Sequence, residues 1–365
     1  MADLSHLRLD SGSDIPVYKQ LAEGIAALID AAVLRAGEKL PATRELAGQL
    51  SLNRTTVSAA YALLEEAKRI EGQVGRGSFV VGDPPAERAS RDWDGLLPPL
   101  DIGWKPAGNQ TEHRIEISFA SSRPAQDEFP LEEFRRLSKQ VIDSDEAGEI
   151  LQLGSSHGYA PLRRYLLEEA VHAGVARAGD DLLITNGCQQ GLDLLARLFA
   201  SPGGSVAIED PVYHGLLRVF SRSGTEIIPV PVDSLGLDPN ALELILQRQR
   251  PRLLVVTPSF QNPTGTSLPL DRRKRIVSLA NRFGCVLVEN DIYSELRYTG
   301  SPLPTLKELD ETGNAILLRS YSKVSFPGLR VGWVIAPRPV IARLAEAKEI
   351  SDLHSDQLSQ AVLLR

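Results

Sequence analysis

Lys323 lies just beyond the apolar run Ala-Ile-Leu-Leu-Arg-Ser (315–320). An amine placed there can condense with a carbonyl compound when its surroundings keep it neutral. Alone it reads as an ordinary loop lysine, so the case rests on what gathers after the other apolar runs. Asp-Leu-Leu-Ile-Thr (181–185) leads into Asn186-Gly187-Cys188-Gln189-Gln190, which opens a helical pattern. Free amides at a helix start cradle anions such as phosphate. Ser-Val-Ala-Ile-Glu (205–209) is followed by Asp210-Pro211-Val212-Tyr213, an aromatic suited to cover a flat ring. Arg-Leu-Leu-Val-Val-Thr (252–257) runs into Pro258-Ser259-Phe260-Gln261-Asn262-Pro263-Thr264-Gly265, a turn that fixes an amide donor. Cys-Val-Leu-Val-Glu-Asn (285–290) is followed by Asp291-Ile292-Tyr293, and Arg330 stands seven residues after Lys323. Taken singly, Asp291 is a strand-end acid and Tyr213 a packing residue. Cys188 is open to reading as a nucleophile, but no histidine is placed to activate it, and a phosphate-loop role fits better. Cys285 begins an apolar strand and reads as core. The six histidines fall into no ligand pattern such as HExxH, so no metal is expected.

These residues need elements to position them. Each run is continuously apolar, as strands covered on both faces of a mainly parallel sheet are. Helical patterns such as 191–200 and 272–283 lie between them, so the spacing predicts an α/β fold from about residue 113. Ligands of open parallel sheets gather outside the carboxyl ends of the strands, where the polar residues above fall. Ahead of this body, residues 16–82 show three helical patterns and a hairpin. The first helix spans 17–34, with Leu21, Ile25, Leu28 and Ile29 inward. Thr43 is placed to cap the second, and the third spans 54–68, with Val57, Tyr61 and Leu64 inward. Ile-Glu-Gly-Gln-Val and Ser-Phe-Val-Val then flank Gly75-Arg76-Gly77 as a hairpin. Five prolines between residues 83 and 112 predict a linker, to which Trp93 and Trp104 add docking points.

The chain has 365 residues, 42% hydrophobic and 24% charged, enough for two or three domains with ordinary cores. Its net charge of -7 argues against a protein that coats nucleic acid but permits a small basic reading face. Two distant cysteines exclude a disulfide framework. No apolar leader or membrane-length run is present, so a cytoplasmic location without a membrane partner is expected.

In NPTG (262–265), D-x-Y (291–293), S-x-S-K (320–323) and PGLR-x-G (327–332), taken in order, the chain resembles the class I/II aminotransferases, fold-type I enzymes of pyridoxal 5′-phosphate (PLP). The resemblance covers roughly residues 115–365 and implies a three-layer α/β/α transferase domain over 113–365. It implies that Lys323 carries PLP as an internal aldimine. Asp291 would meet the pyridine nitrogen and keep the ring an electron sink. Asn262 and Tyr293 would bond the phenolic oxygen, and Tyr213 would stack on the ring. Cys188, Gln189, Ser320, Ser322 and Arg330 would hold the phosphate. In the resembled family a C-terminal small domain beyond the lysine supplies most of the substrate-carboxylate binding. The 42 residues after Lys323 predict a C-terminally truncated body without that domain, and hence weak effector binding.

Residues 1–82 resemble a gntR-type winged helix-turn-helix, on PVYKQL (16–21), GEKLPATRELA (37–47), NRTTV (53–57), YALL (61–64) and GRGSFV (75–80). One departure is Ala67-Lys68-Arg69-Ile70, where that family commonly has a glycine before the apolar residue. Arg54, Thr55 and Thr56 open the helix that meets the major groove, and Arg44, Arg76 and Gly77 are the next DNA contacts. From Lys39 to Arg76 six basic residues face four acids. The alternative, a solvated basic face, is the blander reading of the same residues. Head and body in this order resemble the MocR subfamily. That implies a homodimer that binds operator DNA and senses an amino acid, an amine or PLP itself. A working aminotransferase carrying a DNA-binding head is the alternative, and Lys323 serves both.

Overall fold

The computed structural model describes residues 4, 7–10, 12–73, 76–82, 96–97 and 124–365. The chain divides into two compact units, Met1–Leu100 and Asp101–Arg365. The linker expected over 83–112 lies, apart from Leu96 and Leu97, outside the described residues, as do Trp93, Trp104 and Gly75.

In the first unit α1 (Val17–Asp30), α2 (Thr43–Gln49) and α3 (Arg54–Glu66) precede a hairpin of β1 (Ile70–Gln73) and β2 (Gly77–Val80). Leu21, Ile25, Leu46, Val57, Tyr61, Leu64, Ile70 and Val80 share one core, while Leu28 and Ile29 are only partly buried at its margin. The first helix stops at Asp30, short of residue 34, and Ala32 turns with φ 56°. Thr43 is the first helical residue and not the cap: Ala42 takes that position, without a side-chain bond. Asn53 does cap α3, accepting from the amide of Thr55 at 3.1 Å. The Ala67-Lys68-Arg69 turn forms without glycine. Lys68 takes the left-handed conformation, φ 55°, and its amide bonds Glu65 O at 2.9 Å.

Among the described residues of the second unit, α4 (Leu131–Ile142), α5 (Ala147–Ile150) and α6 (Ala160–His172) are the first α-helices. Strand and helix then alternate. They run β3 (Asp180–Thr185), α7 (Gly187–Phe199), β4 (Ser205–Asp210), α8 (His214–Ser221), β5 (Glu226–Asp233), β6 (Gly236–Leu237) and α9 (Pro239–Arg248). There follow β7 (Leu253–Val256), α10 (Leu270–Phe283), β8 (Val286–Asn290), α11 (Leu306–Leu309), β9 (Ala315–Ser320), β10 (Gly332–Pro337), α12 (Arg338–Asp352) and α13 (Gln357–Leu364). Among the described residues the sheet has eight strands, in the order β3-β10-β9-β8-β7-β4-β5-β6. β9, β8, β7, β4 and β5 are parallel, and β10 runs against both its neighbours.

Side chains alternate across this sheet. Val206, Ile208, Val255, Val288, Ile316 and Leu318 pack on one face with α7 and α12. Ala207, Leu254, Val256, Leu287 and Ala315 pack on the other with α9 and α10. Helices on both faces make the three layers. α12 ends where Leu353 adopts φ 59°, and Asp356 caps α13 through the amides of Leu358 and Ser359.

Candidate active site

At the carboxyl ends of β4, β7, β8 and β9 lies a cleft of about 720 Å³. Nine of the ten residues singled out for the cofactor line it: Cys188, Gln189, Tyr213, Asn262, Tyr293, Ser320, Ser322, Lys323 and Arg330. The tenth, Asp291, is not among them. Its buried carboxylate accepts from Arg319 Nε at 2.9 Å and Nη2 at 2.8 Å, and from Ser294 Oγ at 2.9 Å. Alternation explains this: Arg319 follows Leu318 and so lies on the sheet face away from α7.

One end of the cleft is an anion cradle. α7 begins there with Gly187 and buried Cys188, and Arg330 reaches across with Nη2 3.3 Å from the carbonyl oxygen of Asn186. Arg330 Nη1 lies 3.3 Å from Ser322 Oγ. Ser320 Oγ donates to Ser322 Oγ at 2.8 Å and accepts from the Ser322 amide at 3.0 Å. Amides at a helix start, two hydroxyls and a guanidinium are a donor set for a phosphate. The cradle depends on glycine. Gly187 has φ 73°, and Gly332 beside it comes so close that a Cβ would stand 2.8 Å from the Gly187 Cα. Behind it, Asp352 accepts from Asn186 at 2.8 Å, Gln190 at 2.7 Å and Lys348 at 2.9 Å, tying the loop to α12.

Lys323 is half-buried and its Nζ stands 5.9 Å from the centre of the Tyr293 ring. Burial, and then the charge of Arg330, hold its amine below the usual lysine value, which favours the neutral, reactive form. Asn262 donates to the Tyr293 hydroxyl at 3.2 Å, and burial pushes that phenol up. Tyr213 is half exposed at the mouth, over Gly215, where a Cβ would be 2.2 Å from its ring. Burial also raises the Cys188 thiol, so it is no thiolate nucleophile.

Strand-end reading missed four supporting residues. Buried Arg273 donates to the carbonyls of Pro258, Leu268 and Pro304 and to Ser259 Oγ, at 2.8–2.9 Å, and so fixes the turn carrying Asn262. Gln261 donates to Pro211 O at 2.7 Å and accepts from Thr264, bracing the same turn. Thr257 and Asn290 form the cleft floor. Asn290 Nδ2 lies 3.4 Å from Thr257 Oγ1, and its Oδ1 is buried with no hydrogen-bond partner. Only the side-chain alternation from Val288 to Asn290 could have flagged this last pair.

In the first unit Arg44, Arg54, Thr55, Arg76 and Gly77 are exposed and Thr56 is half-buried. Arg54, Thr55 and Thr56 form the first turn of α3. Lys39 bridges Phe79 of β2, which brings another cation beside the hairpin. Arg69, by contrast, is bound to Asp30.

Residues 114–364 match the class I and II aminotransferase family, and residues 17–80 match the bacterial regulatory proteins of the gntR family. The chain is 40% identical over 251 residues to a 2-aminoadipate transaminase of Thermus thermophilus, covering 68% of this chain but only 62% of that relative. It is 31% identical over 341 residues to the probable rhizopine catabolism regulatory protein MocR of Rhizobium meliloti, covering 91% of this chain and 67% of the relative. The α-aminoadipate aminotransferase of Thermus thermophilus, solved with N-(5′-phosphopyridoxyl)-L-leucine, superposes with a TM-score of 0.64 at 36% identity, over 74% of this chain and 69% of that one. The cofactor of this fold is PLP, and the residues present fit it. The cradle at Gly187 suits its phosphate, the Asn262–Tyr293 pair its phenolic oxygen, and the unpaired Oδ1 of Asn290 leaves a place at the cleft floor for a further polar atom. With a gntR-type head joined to a body of the class I and II aminotransferase family, the chain belongs to the MocR subfamily.

Proposed function

We propose that this chain is a PLP-dependent transcriptional regulator. Residues 1–82 bind operator DNA, residues 83–112 link, and the body from 113 onward captures an amino acid or amine, or senses PLP itself, at Lys323. One observation carries the reading. The Lys323 amine, shifted toward its neutral form, shares a cleft with a phosphate cradle in a chain whose first unit presents α3 and a hairpin bearing exposed Arg76. Bound there, PLP supplies an aldehyde that takes up a primary amine and a ring that withdraws electrons from it. Arg330, Ser320, Ser322 and the amides of Cys188 and Gln189 bind the phosphate, Asn262 and Tyr293 orient the ring, and Tyr213 covers it. The protein acts in the cytoplasm as a homodimer. Arg54, Thr55 and Thr56 enter the major groove, while Arg44, Arg76 and Gly77 meet the backbone.

Such regulators work by population shift: a ligand that binds one arrangement of the heads better than another changes DNA affinity. The test is fluorescence anisotropy of duplexes selected from a random-sequence pool, with PLP-loaded protein and a panel of amino acids and amines. A shift in DNA affinity with at least one amine supports the reading, and equal affinity throughout removes it. The second reading, a working transaminase with a DNA-binding head, draws support from the 40% identity to a transaminase. Sustained turnover of amino acid and 2-oxo acid pairs would establish it in place of a pure sensor.

A further inference from the structure

β8 ends in Glu289-Asn290 and continues to Asp291, and the two residues after Glu289 part company. Val288 packs on the α7 side of the sheet, so Asn290, two residues on, lies on that side too. It lines the cleft beside Thr257, and Ser320 lies on the same face two residues beyond Leu318. Asn290 is 6% exposed, and its Oδ1 has no hydrogen-bond partner. Leaving a buried amide oxygen unpaired is unfavourable, so the cleft floor is built to receive a further polar atom. Asp291 is committed elsewhere: Arg319 binds it with two nitrogens and Ser294 adds a third bond.

The other polar features of PLP already have partners at the walls of the cleft: the phosphate at Arg330 and the serines, the phenolic oxygen at Asn262 and Tyr293, the aldehyde at Lys323. The ring nitrogen is left, and Asn290, its Oδ1 unpaired and its Nδ2 only 3.4 Å from Thr257 Oγ1, is a polar side chain at the floor that can take it. We propose that Asn290, not Asp291, meets the ring nitrogen, its amide turned so that Nδ2 donates to the unprotonated nitrogen and Oδ1 accepts from the Thr257 hydroxyl, and that this chain therefore holds PLP without an anionic partner there. A carboxylate at that position stabilises a protonated, electron-withdrawing ring through a charge-assisted bond. A neutral amide does not. Asn290 thus leaves the capture of amines at Lys323 intact while weakening the electron withdrawal on which transamination depends. The inference rests on PLP being held at Lys323, and it selects a sensor over an enzyme for that same site.

The test uses the full chain loaded with PLP carrying ¹⁵N at the ring nitrogen, read by solid-state nitrogen NMR near neutral pH. The wild type should show a pyridine-like signal, and Asn290→Asp a pyridinium-like one. In single-turnover mixing with an amino acid, Asn290→Asp should convert PLP to its amine form about tenfold faster or more, a barrier change of about 1.4 kcal/mol. Asp291→Asn should leave the nitrogen signal as in the wild type, and it serves should Asn290→Asp fail to fold. A pyridinium-like signal in the wild type, or one that responds to Asp291→Asn, overturns the assignment while leaving PLP at Lys323. Absence of any visible cofactor band that depends on Lys323 overturns both the assignment and the reading beneath it.

Discussion

Arg330 and Gly187 compete for one space: a Cβ on Gly187 would stand 2.3 Å from the Arg330 Nη2. The guanidinium that closes the anion cradle lies where any other residue's side chain would begin. Gly187 also has φ 73°, a conformation that costs an L-residue about 1–2 kcal/mol.

Gly187→Ala is therefore expected to displace Arg330 rather than merely to strain the backbone. PLP affinity, followed by spectrophotometric titration, should fall about tenfold or more, the loss of one charge-assisted phosphate bond of about 1.5–3 kcal/mol. Unchanged affinity would show that Arg330 holds no phosphate.

Glu209 makes a pH prediction. Burial pushes its carboxyl up to about 8, against the pull of hydrogen bonds from Thr257 and Gln261. The folded value lies above the ordinary one near 4.5, so the native state keeps a proton that the unfolded chain gives up. Stability is greatest below the ordinary value, falls as pH rises between the two, and stays low above the folded one. Glu209→Gln should flatten this fall: thermal unfolding should match the wild type near pH 5 and exceed it by several degrees above about pH 8. Parallel curves for the two proteins would refute it.

The head yields a prediction on salt. If Arg54 meets a phosphate or base at the groove, Arg54→Ala should weaken DNA binding and lower the slope of log affinity against log salt by about 1. Arg69→Ala, which removes a residue bound to Asp30, should leave that slope unchanged. The measurement is anisotropy across a salt series, and equal slopes for all three proteins would place Arg54 off the DNA.

Much of the site was legible because chemistry collects where apolar strands end. Lys323, Asn262, Tyr293 and the Gly187 loop were all found by stepping off such runs, and the AILLRS strand matches β9 to the residue. β5 and β10 were not read as strands. Prolines punctuate Glu226–Asp233, and Gly332–Pro337 follows the PGLR motif with no turn signal to mark its start. Asp291 shows a different limit. Its neighbour Asn290 lines the cleft because it alternates with Val288 along β8, a placement that residue type alone does not flag. Asp352 and Arg273 brace the site from helices far along the chain, through contacts that no local pattern encodes.

The most direct test of the account asks whether the cleft speaks to the DNA. DNA affinity of the PLP-loaded chain should be measured with and without an amine that perturbs the cofactor's visible band, in the wild type and in Lys323→Ala. The account predicts a shift in the wild type, about fivefold or more as coupled sites commonly show, and none in the variant. A wild type whose DNA affinity ignores the amine, or a Lys323→Ala variant that responds equally, would contradict it.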